Sequence, residues 1–300
     1  MESHASEVIR LRRSVLYMPG SNKRALDKAR TLPADALIMD LEDSVSPEAK
    51  NAARENVIAA IKAGGYDHRE LVIRMNALHT PWGKEDLIAA ATAAADAVLV
   101  PKIDDAAELN KVVDLLEING APKQLKVWAM AETPRAIINI NSIARADARL
   151  SALVMGTSDL AKTLRIRADS DRSGLRAALS SCVLAARAYG IDILDGVHTD
   201  LADSAGFSKS CDQARMLGFD GKTLIHPSQI EVANKAFGVS AEQLAHAAEV
   251  IAAWDAAAAQ GLGIAILDGQ MIEKLHADEA RRALALNAAI IRNQRTSQEE

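Results

Sequence analysis

The sequence is 300 residues long, carries a formal net charge of -5 at neutral pH, and is 49% apolar with only 3% aromatic residues. That length can bury a large core, and an acidic balance with no basic block or stripe argues against nonspecific nucleic-acid binding. No apolar run approaches the roughly 20 residues of a membrane-spanning helix, MESHASEVIRLRRS lacks a signal-peptide core, and the two cysteines, Cys182 and Cys211, have no metal-ligand spacing. The expectation is a globular, cytoplasmic protein that touches neither membrane nor nucleic acid.

Along the chain, eight short β-rich runs alternate with Ala-rich amphipathic stretches. The runs are Ser14 to Met18, Ala36 to Asp40, Leu71 to Met75, Ala97 to Val100, Lys126 to Ala131, Ala152 to Met155, Ile191 to Leu194 and Lys222 to Ile225. Helical spacing covers Pro47 to Lys62, Glu85 to Ala95, Ala106 to Leu116, Arg176 to Tyr189 and Ser204 to Leu217, with caps near Asp105 and Ser204. Eight such units predict an α/β chain closed into a TIM (β/α)8 barrel over residues 1–238. The rival, an open doubly wound sheet, more often carries GxGxxG after its first strand; this chain reads YMPGSNKRA there. Beyond the eighth unit, Ser240 and Gln243 form a capping box that opens a helix to about Gln260. Asp268-Gly269 then makes a hairpin turn inside GLGIAILDGQMIE, and a last helix runs from about Ala277 to Arg295. Residues 239–300 therefore read as a helix-hairpin-helix extension of the barrel.

In parallel α/β architectures the carboxyl ends of the strands converge on one mouth. The residues at or just beyond those ends are Lys23 and Arg24, then Asp40, Glu42 and Asp43, then Arg74 and Asn76, Lys102, Glu132, Gly156 to Asp159, Asp195 and His226. Acids recurring at strand ends point to a shared cation or proton site. Two carboxylates with water and a chelating oxyacid suit Mg²⁺, and no His pair or Cys cluster offers zinc. Arg74 suits a carboxylate or a developing oxyanion, or else a structural salt bridge. Gly156 and Thr157 can turn backbone N–H groups toward a carboxylate. His226 before Pro227 reads equally well as a residue that orients the next helix, and a lone Lys102 is a weak signal. The hairpin turn accounts for Asp268 without any chemistry.

Eight motifs in order carry a more specific message: RSVLYMPGS, MDLEDSV, the Arg and Asn of VIRMN, LVPK, AET, MGTSDLAK, GFDGKTLIHPSQI and LDGQMIE. With them the chain resembles the citrate lyase β-subunit-like (CitE-like) CoA-ester lyases of the HpcH/HpaI aldolase superfamily. TPWGKEDL and WAMAET are most similar to the malyl-CoA and β-methylmalyl-CoA lyase and malyl-CoA thioesterase branch. The resemblance implies Mg²⁺, or Mn²⁺, held by Glu132 and Asp159, with Glu42 and Asp43 beside it holding its waters. It implies a substrate contact from Arg74 and CoA phosphate contacts from Arg13, Lys23 and Arg24; Glu132, Gly156 and Thr157 complete the expected substrate-binding residues. Catalysis would fall to Arg74, Asp43 and Asp268, the last on a segment that packs over a neighbouring subunit in a trimer or hexamer with shared sites. The implied reaction is cleavage of a 3-hydroxyacyl-CoA to a 2-oxo acid and acetyl-CoA or propionyl-CoA. Hydrolysis of malyl-CoA, or service as the β-chain of a multisubunit citrate lyase, are the alternatives. One departure is Ala136, preceded by Arg135, where relatives often have Gly; it bears on the acyl pocket.

Overall fold

The computed structural model describes residues 9–167 and 169–296. Arg12–Phe237 forms one compact unit, and a second comprises the described residues before Arg12 and after Phe237.

The first unit is a closed barrel of eight parallel strands in sequence order. They are β1 (Ser14–Pro19), β2 (Ala36–Asp40), β3 (Glu70–Arg74), β4 (Ala97–Val100), β5 (Lys126–Ala131), β6 (Leu150–Met155), β7 (Asp192–Asp195) and β8 (Gly221–Leu224). Closure comes from β1 pairing with β8, Ser14 opposite Lys222 and Leu16 opposite Leu224. Each strand is covered on both faces, so it reads as a nearly continuous apolar run. With helices between the strands the architecture is the expected TIM barrel, and every strand falls within two residues of its expected bounds.

Side chains alternate across the sheet. Val15, Ala36, Ile38, Val72, Leu99, Trp128, Met130, Val154 and Leu194 pack together in the barrel interior. The other face, including Leu16, Leu37, Met39, Ile73, Val98, Leu153 and Ile193, packs in the larger core shared with the helices. That alternation carries Tyr17, Asp40, Arg74 and Glu132 inward at the carboxyl end. At the opposite end Arg12 forks onto Glu70 through two 2.7 Å bonds and lies 4.9 Å from the Trp128 ring centroid, plugging the floor.

Two short helices bear on the mouth. Helix α1 (Lys23–Lys28), capped by Asn22, follows β1. After α2 (Lys50–Ala63), α3 (Gly83–Thr92), α4 (Ala106–Ile118) and α5 (Pro134–Ala144), α6 (Thr157–Leu164) opens directly at the end of β6. Then come α7 (Arg176–Tyr189), α8 (Ser204–Leu217) and α9 (Ile230–Ala236). Asp105 caps α4 as expected, while α8 takes its cap from Asp203, one residue before Ser204.

In the second unit, Ser240 and Gln243 form the expected capping box on α10 (Ala241–Ala259). Strands β9 (Ala265–Leu267) and β10 (Gln270–Ile272) pair antiparallel, followed by α11 (Lys274–Thr296). Asp268 and Gly269 make the turn at φ 49° and 78°, the left-handed pair that a two-residue hairpin loop requires. Ala265 and Ile272 pack with Ala247, Val250, Ala257 and Ala280 as this unit's own core. Among the described residues no helix is long and apolar enough to cross a membrane.

Candidate active site

On one side of the mouth Arg74 organises the acids that follow β2. Its Nε and Nη2 donate to the two oxygens of Asp40 at 2.6 and 2.7 Å, and its guanidinium lies 4.6 Å from the Tyr17 ring centroid. Burial disfavours charge on Asp40, but the Arg74 bonds and charge outweigh it, with help from Ser44 and the Glu42 N–H, and hold the carboxyl below its usual range. The remaining nitrogen, Nη1, lies 3.1 Å from Glu42 Oε2 and 3.3 Å from Asp43 Oδ2. Asp43 is largely solvent-exposed, at 76%. Glu42 is not: its Oε2 is buried and, despite the nearby charge, accepts no well-aligned hydrogen bond. Burial, then the charges of Asp43, Glu132 and Asp40 against the opposing effect of Arg74, push its carboxyl up to about 8.

The loop bearing these acids is tied down from behind. Lys50 Nζ donates to the carbonyls of Leu41 and Glu42 at 2.9 and 2.7 Å, and Asn76 Nδ2 donates to Leu41 O and to Asp86. These bonds satisfy carbonyls that the loop leaves without ladder partners.

On the other side, Glu132 and Asp159 meet at Lys102. The Lys102 N–H donates to Glu132 Oε1 at 2.7 Å, and its Nζ bonds Asp159 and lies 3.4 Å from Glu132 Oε2. The lysine backbone stands at φ 56°, a conformation a non-glycine residue adopts at some cost. Glu132 is buried, and that burial, with the Asp159 charge, raises its proton affinity against the pull of Lys102 and Arg74. Asp159, in the first turn of α6, is 44% exposed. Gly156 lets α6 start this close: a Cβ there would lie 2.3 Å from Glu132 Cβ.

The structure corrects several expectations. Arg13 precedes β1 and forks onto Asp35 at 2.8 Å, at the rim opposite the mouth, so it is not a CoA phosphate contact on this barrel face. The Gly156 N–H is spent on the carbonyl of Ala131 at 3.1 Å, so of the two expected backbone donors only Thr157, in the first turn of α6, remains. Asp195 lies on the outward face of β7, fully buried against Lys222 and Arg172 rather than in the mouth. His226 is a cap: its Nδ1 accepts from the Ser228 N–H. Lys23 and Arg24 are exposed on α1, at the mouth end of β1. Asp268 belongs to the second unit, in its hairpin turn. Ala136 is fully buried in the first turn of α5 and Arg135 beside it is exposed.

Sequence reasoning missed Tyr17, Lys50 and the bridging position of Lys102. Tyr17 was within reach of pattern alone, two positions beyond the interior Val15; Lys50 and Lys102 act across 8 and 57 residues of chain and leave no local signature.

Among the described residues no three His, Cys, Asp or Glu side chains gather as a ready-made metal cage. The donor set nonetheless fits a hard cation that keeps most of its water, since Glu132 and Asp159 already share one cation, the Lys102 ammonium. Glu42 Oε2, ion-paired with Arg74 but without a well-aligned hydrogen bond, is an acceptor that a bound water could satisfy.

Comparison with known proteins places the chain among relatives of similar sequence and fold. The chain is 46% identical over 278 residues, 93% of its length and 95% of the relative's, to a (3S)-malyl-CoA thioesterase of Cereibacter sphaeroides. It is 36% identical over 281 residues, 92% of its length and 93% of the relative's, to the citrate lyase β subunit of Escherichia coli K12. Its fold matches that of CitE from Mycobacterium tuberculosis in complex with magnesium, acetoacetate and coenzyme A, with a TM-score of 0.75 and 32% identity over 92% of this chain and 97% of that one. Residues 13–227 match the model of the HpcH/HpaI aldolase/citrate lyase family. The chain belongs to that family.

Proposed function

We propose that this protein is a Mg²⁺-dependent cytoplasmic enzyme acting on the CoA thioester of a malyl-type hydroxy acid, and that its net reaction is hydrolysis of the thioester. The observation that carries the metal assignment is the meeting of Glu132 and Asp159 on a single cation position at the barrel mouth. The similarity to malyl-CoA thioesterases over nearly the full length of both chains favours hydrolysis.

Glu132 and Asp159 would hold Mg²⁺, or Mn²⁺, with Glu42 and Asp43 accepting hydrogen bonds from its waters. When bound, the cation supplies Lewis acidity to the substrate's oxygens. Arg74 Nη1, the guanidinium nitrogen not committed to Asp40, is the donor for the substrate carboxylate or for charge developing on the thioester oxygen. The Thr157 N–H, unclaimed within its helix, offers a second donor. Lys23 and Arg24 are the basic candidates for the CoA phosphates.

Asp268 would exchange a proton with the reacting carbon or water at the mouth of a neighbouring copy in a trimer or hexamer. An apolar face on its hairpin supports assembly: Ile266 and Met271 are cross-strand partners, 65% and 53% exposed.

A second reading is the carbon-carbon cleavage expected from the motifs, giving a 2-oxo acid and acetyl-CoA or propionyl-CoA. The 36% identity to a citrate lyase β subunit favours a lyase reaction. There Arg74 would stabilise the thioester enolate. Product analysis separates the readings: hydrolysis releases free CoA and the intact hydroxy acid, cleavage releases a 2-oxo acid without thiol.

A further inference from the structure

We propose that Lys102 is a resident counter-cation of the metal site: its ammonium holds Glu132 and Asp159 together when the divalent cation is away, and has to leave when that cation binds. It thereby weakens metal binding and keeps the ion exchangeable. The inference rests on the assignment of Glu132 and Asp159 as metal ligands.

Position comes first. The Lys102 ammonium bonds Asp159 and lies 3.4 Å from Glu132 Oε2, so it and a divalent ion would compete for the same oxygens. The competition concerns the side chain alone. The Lys102 N–H separately fixes Glu132 Oε1 at 2.7 Å, and this backbone bond persists whatever the ammonium does. Glu132 therefore stays oriented while the charge moves.

The ammonium also has somewhere to go. The Lys102 side chain is 35% exposed and ends a flexible four-carbon stem, so it can swing into solvent without opening the core. Arg74, the other cation beside these acids, cannot take its place, because two of its nitrogens are forked onto the fully buried Asp40. Without Lys102 the buried Glu132 would face the Asp159 charge with only the more distant help of Arg74, which raises the cost of keeping both carboxylates charged.

A salt bridge that merely braced the site would behave oppositely. Removing a brace loosens both ligands and weakens metal binding; removing a competitor strengthens it. The sign of the change decides.

The test is Mn²⁺ binding by the full-length protein after stripping with EDTA, followed by electron paramagnetic resonance and calorimetry. Wild type is compared with Lys102→Met, with Lys102→Gly, which suits the positive φ and covers the case in which the first variant does not fold, and with Asp159→Asn. The expected result is at least tenfold tighter Mn²⁺ binding in the Lys102 variants, a lower melting temperature without metal and a larger rise with it. Binding that is equal or weaker in the Lys102 variants, while Asp159→Asn still abolishes it, overturns the inference and leaves the metal site standing. Wild-type binding by Asp159→Asn overturns the metal assignment and the inference with it. In the wild-type protein, amine labelling read by mass spectrometry should be faster at Lys102 with Mn²⁺ than without, and an unchanged rate counts against displacement.

Discussion

A Cβ built on Gly156 would lie 2.3 Å from Glu132 Cβ and 2.9 Å from Glu132 Oε2, so the carboxylate stands where it does because residue 156 has no side chain. Neither partner can yield freely, since Gly156 is bonded to Ala131 O and Glu132 to the Lys102 N–H.

Gly156→Ala should therefore act on the site more than on the fold. Forcing a methyl into a filled space costs about 1–3 kcal/mol, and the displaced carboxylate should weaken Mn²⁺ binding at least tenfold. Calorimetric titration beside a thermal melt checks this, and undiminished affinity would place the metal away from Glu132.

Arg74→Met should be among the most destabilising changes in the mouth. It strands Asp40, fully buried and accepting both fork bonds, and leaving such a partner unpaired costs about 3–5 kcal/mol. Arg74→Lys keeps the charge but cannot fork, so it should recover only part of the loss. Urea titrations measure both, and a loss below about 1 kcal/mol for the methionine variant would mean the pair contributes little.

Glu42 makes the metal-free protein sensitive to alkali. Its carboxyl is pushed up to about 8, from an ordinary value of 4.5, chiefly by burial. Because the folded-state value is the higher one, its contribution to stability is complete below about 4.5, declines as pH rises and is gone above about 8. In EDTA, Glu42→Gln should thus gain stability over wild type between about pH 5 and pH 9, on the order of a few kcal/mol. Parallel slopes for the two proteins across that window would contradict the burial argument.

Asp159→Ala should separate binding from folding. The residue is 44% exposed, so its ion pair with Lys102 is partly solvent-screened and its removal should change stability by no more than about 1 kcal/mol. Metal-dependent turnover should nevertheless disappear, because one of two proposed protein ligands is gone. Full Mg²⁺-dependent activity in a well-folded Asp159→Ala protein would refute the ligand assignment.

Sharing of sites between copies can be tested by mixing. Inactive Asp268→Asn and inactive Glu132→Gln protomers, allowed to exchange, should recover part of the activity, since some mixed sites regain both residues. No recovery after exchange has been verified by mass spectrometry would speak against a shared site.

Much of the fold was legible because barrel strands are covered on both faces and stand out as apolar runs between helical spacing. Legibility stopped where strand ends or facing mattered. The seventh strand runs Asp192–Asp195, one residue later than Ile191 to Leu194, so Asp195 ends the strand rather than following it. With Leu194 inside the barrel, Asp195 must point outward, to Lys222 and Arg172. Arg13 failed for a simpler reason: it precedes its strand, whereas Lys23 and Arg24 follow it. Glu132 and Asp159 were visible as strand-end acids, but nothing local in LVPK announces that its lysine reaches Asp159, 57 residues on.

The most direct test of the account incubates the purified protein and Mg²⁺ with malyl-CoA, methylmalyl-CoA and citramalyl-CoA, following free thiol and 2-oxo acid in parallel. The account predicts thiol release from malyl-CoA with the hydroxy acid left intact, abolished by EDTA and restored by Mg²⁺. Appearance of a 2-oxo acid without thiol would contradict hydrolysis in favour of carbon-carbon cleavage, and turnover indifferent to EDTA would contradict the metal site itself.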